Sequence, residues 1–328
     1  MLRRRDLSVP LLAWAVVPAV LLPRKGRTQS ESFDGERMPY DAFDRLTTTN
    51  IRLGNATIRL GFAPSELKLP TADIVSWIEA SARAVTTYYG RFPVATLRLL
   101  LVPVEAAGVR GGTTWGYRGA AIRLRIGRDS DRPGLKRDWV MVHEMVHLAL
   151  PDLGNRQAWL SEGLAVYVEP IARVQSGDLS EAEIWAAMMR DMPKGLPQPG
   201  DRGLNNTPTW GRRYWGGAMF CLFADVAIRQ VTANRLGLQH AMRGVLAAGG
   251  NHEVDWPVER ILTVANKAVG LDVLTRMYRE WSNAPVTPDL ATLWRDLGLK
   301  QDSKDVIAIN DDAPLASIRK GITAKIVP

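Results

Sequence analysis

Apolar and polar residues alternate from Ile51 to Phe62 around a turn at Gly54-Asn55, a pattern that predicts a two-stranded hairpin. Ile74, Ile78, Ala82 and Val85 then recur at helical spacing within 71–89, with Thr71 as the candidate N-cap. Residues 97–104 are apolar enough for a buried strand. From Ile122 the chain alternates apolar residues with arginines, so the strand ending segment 112–126 has one apolar and one basic face. Together these elements predict a small sheet with one covering helix.

From about Lys136 the periodicity turns helical, with segments at 181–191, 214–231, 235–246, 258–268, 271–281 and 289–297 after two helices near the middle of the chain. Residues 192–210 hold four prolines and three glycines and read as a long loop, either rimming a cleft or crossing the surface. The tail from Lys304 holds one strand-like run, 305–310, that adds an edge strand or trails as a flexible end. The fold class is therefore α+β. A β-rich subdomain spans 49–135, a helical one spans 136–297, and a tail covers 298–328.

Composition places these elements in a folded globular protein: 328 residues, 46% apolar and 23% charged, suffice for a large core. The formal charge of +8 raises nucleic acid as a partner, but residues 1–28 alone carry +5 of it. The remainder has no basic stripe with interleaved aromatics, so no nucleic-acid partner is expected. Arg3-Arg4-Arg5 before the apolar run 9–22 is the pattern of a secretory signal, and Arg4-Arg5-Asp6-Leu7 resembles a twin-arginine signal. Export to a periplasmic or extracellular location follows, with a polar linker at 29–48. No small-x-small cleavage site follows the run, so a membrane anchor stays open. Cys221 has no cysteine partner in the chain and is expected to act as a small buried hydrophobe. A monomer is expected.

The chemistry concentrates at His143-Glu144-Met145-Val146-His147, which uses two of the four histidines on one helical turn. Residues four apart share a helix face, so both imidazoles can reach one metal ion while Glu144 addresses a water beside it. This is the HExxH zinc-hydrolase pattern; a buried amphipathic helix with two hydrogen-bonded histidines is the alternative. A catalytic zinc needs a third protein ligand. After a chain reversal at Pro151-Asp152-Leu153-Gly154, the apolar segment around Trp159-Leu160-Ser161-Glu162-Gly163-Leu164-Ala165 offers Glu162. Glu169, two turns on, is either a hydrogen-bond acceptor for a ligating histidine or a helix-end surface residue.

His143-Glu144-x-x-His147 with Ser161-Glu162-Gly163-Leu164-Ala165 resembles the gluzincin metallopeptidases, nearer the aminopeptidase N and glycyl aminopeptidase branches than thermolysin. The spacer between His147 and Glu162 is shorter than aminopeptidase N's usual one. The resemblance implies one Zn2+ held by His143, His147 and Glu162, Glu144 as general base, and a peptide or protein substrate. Tyr214-Trp215-Gly216-Gly217 has the Tyr-x-x-Gly frame of the family segment whose tyrosine hydrogen-bonds the oxyanion, with glycine at the family's lysine position. A neutral phenol at Tyr214 is a suitable donor, and an aromatic anchor for its helix is the alternative. Gly111-Gly112-Thr113-Thr114-Trp115-Gly116-Tyr117 resembles the family's cleft strand, which pairs with substrate backbone. The Gly-x-Met-Glu-Asn exopeptidase signature is absent.

Arg212 and Arg213 read as a solvated pair or as a carboxylate site, and His240 and His252 as structural or surface residues, with His240 a distant second choice for the oxyanion donor. The reading is an exported zinc metallopeptidase. The competing readings are a silent peptide-binding or scaffolding protein on the same fold and a zinc hydrolase of non-peptide amides.

Overall fold

The computed structural model describes residues 33–303 and 305–326; the signal-like segment 1–28 lies outside them. Helix α1 (Tyr40–Asp44), strands β1 (Thr49–Leu53) and β2 (Ala56–Phe62), helix α2 (Thr71–Tyr89) and strands β3 (Thr96–Val104), β4 (Val109–Trp115) and β5 (Ala121–Gly127) come first. Helices α3 (Arg132–Lys136), α4 (Val140–His147), α5 (Ala158–Gln175), α6 (Glu181–Asp191) and α7 (Gly217–Val231) follow. The chain then forms α8 (Leu238–Ala247), α9 (Val258–Val269), α10 (Val273–Ser282) and α11 (Leu290–Asp296), the hairpin β6 (Leu299–Ser303) and β7 (Val306–Ile309), and α12 (Ala316–Thr323). This is the expected α+β order, with the sheet before the helices.

The hairpin forms where the alternation places it, β1 and β2 pairing antiparallel around Gly54, whose φ of +57° suits a residue without a side chain. The sheet runs β1-β2-β3-β5-β4, with β2, β3 and β5 parallel and β4 antiparallel to β5 on the edge. Helix α2 starts at Thr71, but its N-cap is Pro70 and no side chain caps it. The expected threonine cap is corrected by one position: the proline's fixed φ already sets the helical entry.

Strand β3 sends Leu97, Leu99 and Leu101 into the main core and Leu100 and Val102 into a smaller cluster on the other face. Its unbroken apolar run reflects this two-sided burial. The second face is covered by Tyr40 and Phe43 of α1, so the sheet has a cover on both faces rather than one helix alone. The basic face of β5 is covered at Arg123, while Arg125 stays exposed. Arg123 is buried, its guanidinium stacked 5.1 Å from the Trp115 ring and donating to the Gly35 carbonyl, while Arg125 pairs with Asp34 at 2.6 Å. Residues 33–44, within the expected polar linker, thus pack on the sheet.

One core joins the sheet to the helices, taking residues from α2, α4, α5 and α7 alike. Cys221 is buried in it, and burial pushes its thiol pKa up. The tail corrects both alternatives foreseen for it. Strands β6 and β7 form their own two-stranded sheet, and α12 returns to the core, where fully buried Arg319 donates to the Leu297 carbonyl at 2.8 Å. Among the described residues, no helix is long and apolar enough to cross a membrane.

Candidate active site

Helix α4 begins where Asp138 accepts hydrogen bonds from the Val140 and Met141 amides, both at 3.0 Å. All eight of its residues are buried, so His143, Glu144 and His147 enter the interior on one helix. The Nε2 atoms of His143 and His147 lie 3.2 Å apart. Glu162, one turn into α5, brings Oε2 to 3.2 Å from His143 Nε2 and 3.5 Å from His147 Nε2. These are the three residues that the sequence selected as ligands.

The group fits a metal. A tetrahedral zinc with bonds of about 2.0–2.1 Å needs ligand atoms roughly 3.3 Å apart, close to the three separations above. Two imidazole nitrogens and a carboxylate oxygen suit zinc and also tolerate cobalt or manganese. His147 is oriented by Ser161, whose Oγ lies 3.0 Å from Nδ1, whereas buried His143 Nδ1 has no hydrogen-bond partner among the described residues. Burial works against the charge of Glu162, but hydrogen bonds from His143 and His147 outweigh it and hold the carboxyl well below its usual range. His147 is likewise raised despite its burial, through the Glu162 hydrogen bond and the Glu144 charge.

Two glycine contacts set the walls. A Cβ at Gly163 would lie 2.2 Å from the Gly217 carbonyl carbon, so α5 and α7 cross with their backbones in contact. That crossing places Glu162 and Tyr214 on one cavity of about 460 Å³, together with Gly112, Thr114, His143 and His252. A Cβ at Gly112 would meet Glu144 Cγ at 2.5 Å, so edge strand β4 lies hard against the glutamate. The Thr114 hydroxyl stands 2.7 Å from Glu144 Oε2 and 3.0 Å from its carbonyl oxygen.

Tyr214 sits in a π-helical turn, Arg212–Gly216, at the entrance to α7, a widened turn of the kind that often marks functional positions. Its ring stacks on His143 with centroids 6.3 Å apart and planes 13° from parallel. Burial, with the charges of Glu162 and Glu144, pushes the phenol up to about 12, so it stays neutral and able to donate at neutral pH.

Three expectations change. Glu169 is buried rather than at the surface, and its carboxylate pairs with Arg173 at 3.0 Å instead of a histidine. Arg212 is not a solvated charge: it is buried, 2.8 Å from equally buried Asp201 and donating to the Gly195 carbonyl at 2.6 Å, which pins the loop 192–210. Its charge is met by Asp201 of that loop rather than by water. His252 lines the cavity, whereas His240 caps α8 through the Gly237 amide and lies outside that lining. Sequence distance hid His252, which a loop contact with Gly116 and Leu148 brings in. Ser161 and Thr114 were also missed as partners of the site, although both stand inside segments quoted for other residues.

No protein-family model matches the sequence, and no curated protein does. Solved structures do match. An aminopeptidase N family protein from Idiomarina loihiensis superposes with a TM-score of 0.57 at 15% identity, over 78% of this chain and 49% of that one. An M1 zinc metallopeptidase from Deinococcus radiodurans gives 0.48 at 17% identity, over 74% of this chain and 52% of that one. The chain spans about half the length of these structures. At such identities the likeness is one of fold, and the chain has the fold of the aminopeptidase N family structure, the fold that the motif resemblance implied.

Proposed function

We propose that the protein is a zinc metallopeptidase. The observation that carries this reading is the meeting of His143 Nε2, His147 Nε2 and Glu162 Oε2 beside a second carboxylate, Glu144, which none of them uses. In this reading the three residues hold one zinc ion, which when bound supplies Lewis-acid polarisation of a carbonyl and acidification of water. Glu144 takes a proton from the attacking water and passes it to the leaving amine. The Thr114 hydroxyl fixes one carboxylate oxygen of Glu144, whose side chain belongs to the cavity lining. Tyr214 donates its phenolic proton in a hydrogen bond to the developing oxyanion. The free edge of β4 pairs with an extended peptide as an added strand.

Export and a monomeric state belong to the same proposal. The triple arginine followed by an apolar run supports export, and anchoring follows if that segment is retained.

Mass-spectrometric profiling of a mixed peptide library with the zinc-loaded protein tests the reading, with Glu144→Gln as the control. Cleavage that the variant abolishes supports it, and the cut positions decide endo- against exopeptidase action. A protein that carries zinc and cuts no peptide would sink it.

A further inference from the structure

The aromatic rings around the cavity name a substrate class, an inference that rests on the peptidase reading. Among the described residues, seven large hydrophobic side chains are exposed, and the three aromatic ones are Tyr117, Trp139 and Trp210, at 59%, 52% and 59%. All three stand at the candidate active site. Tyr117 lines the cavity from the end of β4. Trp139 packs edge-to-face on the ligand ring of His143, centroids 5.3 Å apart at 86°. Trp210 stacks on Tyr214 at 6.0 Å and 24°, and Tyr214 stacks on His143. Trp210, Tyr214, His143 and Trp139 therefore form a continuous row of rings, its two middle members lining the cavity and the tryptophans flanking them.

We propose that this row receives an aromatic or bulky aliphatic side chain of the peptide beside the scissile bond, with Trp139 and Trp210 as the specificity-determining residues. Rings that served only to fill the core would be buried, whereas more than half of each tryptophan faces solvent. Their clustering at one cleft marks a binding surface rather than scattered exposure. The backbone of an extended peptide is accommodated by β4, which among the described residues is paired on one side alone, so alternate side chains of such a peptide point across the cleft. Among the described residues, no lysine or arginine lines the cavity.

The test measures binding by calorimetry to zinc-loaded Glu144→Gln, so that no turnover is needed. The probes are three blocked peptides, identical except for a central pair of phenylalanines, alanines or lysines. The phenylalanine peptide is expected to bind at least about fivefold tighter than the alanine peptide, the scale of one or two aromatic contacts. Adding Trp139→Ala and Trp210→Ala together should erase that advantage, while Val231→Ala, exposed and outside the cavity lining, should keep it. If the double change releases zinc through His143, Trp210→Ala alone carries the comparison and should lower the advantage. Equal affinities, an advantage that survives the tryptophan changes, or tightest binding of the lysine peptide, which would make the row a cation site, overturns the proposal. A phenylalanine preference without cleavage by the wild type counts against the peptidase reading alone, and cleavage without preference counts against the aromatic wall alone.

Discussion

Gly163→Ala tests how the two halves of the site are held together. The added Cβ would sit 2.2 Å from the carbonyl carbon of Gly217 and 2.3 Å from its Cα, more than an ångström inside van der Waals contact. Both atoms are backbone at the start of α7, where it packs on α5, so no side chain can swing away. Helices α5 and α7 must part instead. Overpacking of this kind costs about 1–3 kcal/mol, against which the better helix propensity of alanine returns about 1 kcal/mol. The functional effect is expected to be larger than the structural one. Glu162 is the preceding residue and Tyr214 lies just before α7, so a parting on the order of 1 Å moves the candidate ligand and the proposed oxyanion donor together, a misplacement that can lower turnover about a hundredfold. Zinc affinity should fall as well. The assay pairs thermal melting with zinc titration and kcat/KM. Gly154→Ala serves as the control, because its backbone φ is −56° and the nearest atom to its Cβ would be Gln157 Oε1 at 4.0 Å. A folded Gly163→Ala protein with wild-type zinc affinity and turnover would refute the reasoning.

Other expectations follow from single contacts. Thr114→Val removes the hydroxyl 2.7 Å from Glu144 Oε2 and should lower kcat roughly tenfold or more, while zinc content, measured by elemental analysis, stays at the wild-type level. Arg212→Ala leaves buried Asp201 without its ion-pair partner and should cost about 3–5 kcal/mol in urea unfolding; a cost within error of zero would mean the pair is solvated. Burial pushes the Glu169 carboxyl up to about 7 despite Arg173, with Asp138 and Asp178 adding to the rise. The folded state therefore holds this proton more tightly than the unfolded chain. Its stabilisation is complete below the unfolded pKa near 4.5 and is lost as pH rises through about 7. Urea melts of wild type and Glu169→Gln at pH 5 and 8 should show the wild type losing more stability over that interval, and parallel curves would contradict the assignment.

Much of the candidate metal site was legible because its signal is local. His143 and His147 are one helical turn apart, and Glu162 is a charge in an otherwise apolar run, so spacing and polarity alone select all three. The hairpin, α2 and β3 were equally plain, since each is a short period written in consecutive residues. What escaped depended on tertiary packing. The burial of Arg123, Arg212 and Glu169 could not be read, because each is covered by a segment distant in sequence or paired with a partner of opposite charge. A charged residue in a helix looks the same whether its partner is Asp201 or water. The π-turn at Tyr214 comes from how α7 enters against α5, and the return of α12 to the core comes from Ile318 and Ile322, which a short tail gives little room to recognise. His252 was set aside for lack of neighbours at ligand spacing, yet a loop contact brings it to the cavity.

The central claim is that His143, His147 and Glu162 hold one metal ion which Glu144 serves without binding it. Competitive zinc titration of wild type, Glu144→Gln and Glu162→Ala, read beside peptide hydrolysis, tests this most directly. The account predicts one zinc per chain for the wild type, zinc retained but hydrolysis lost in Glu144→Gln, and both lost in Glu162→Ala. Stoichiometric zinc at wild-type affinity in Glu162→Ala would contradict it.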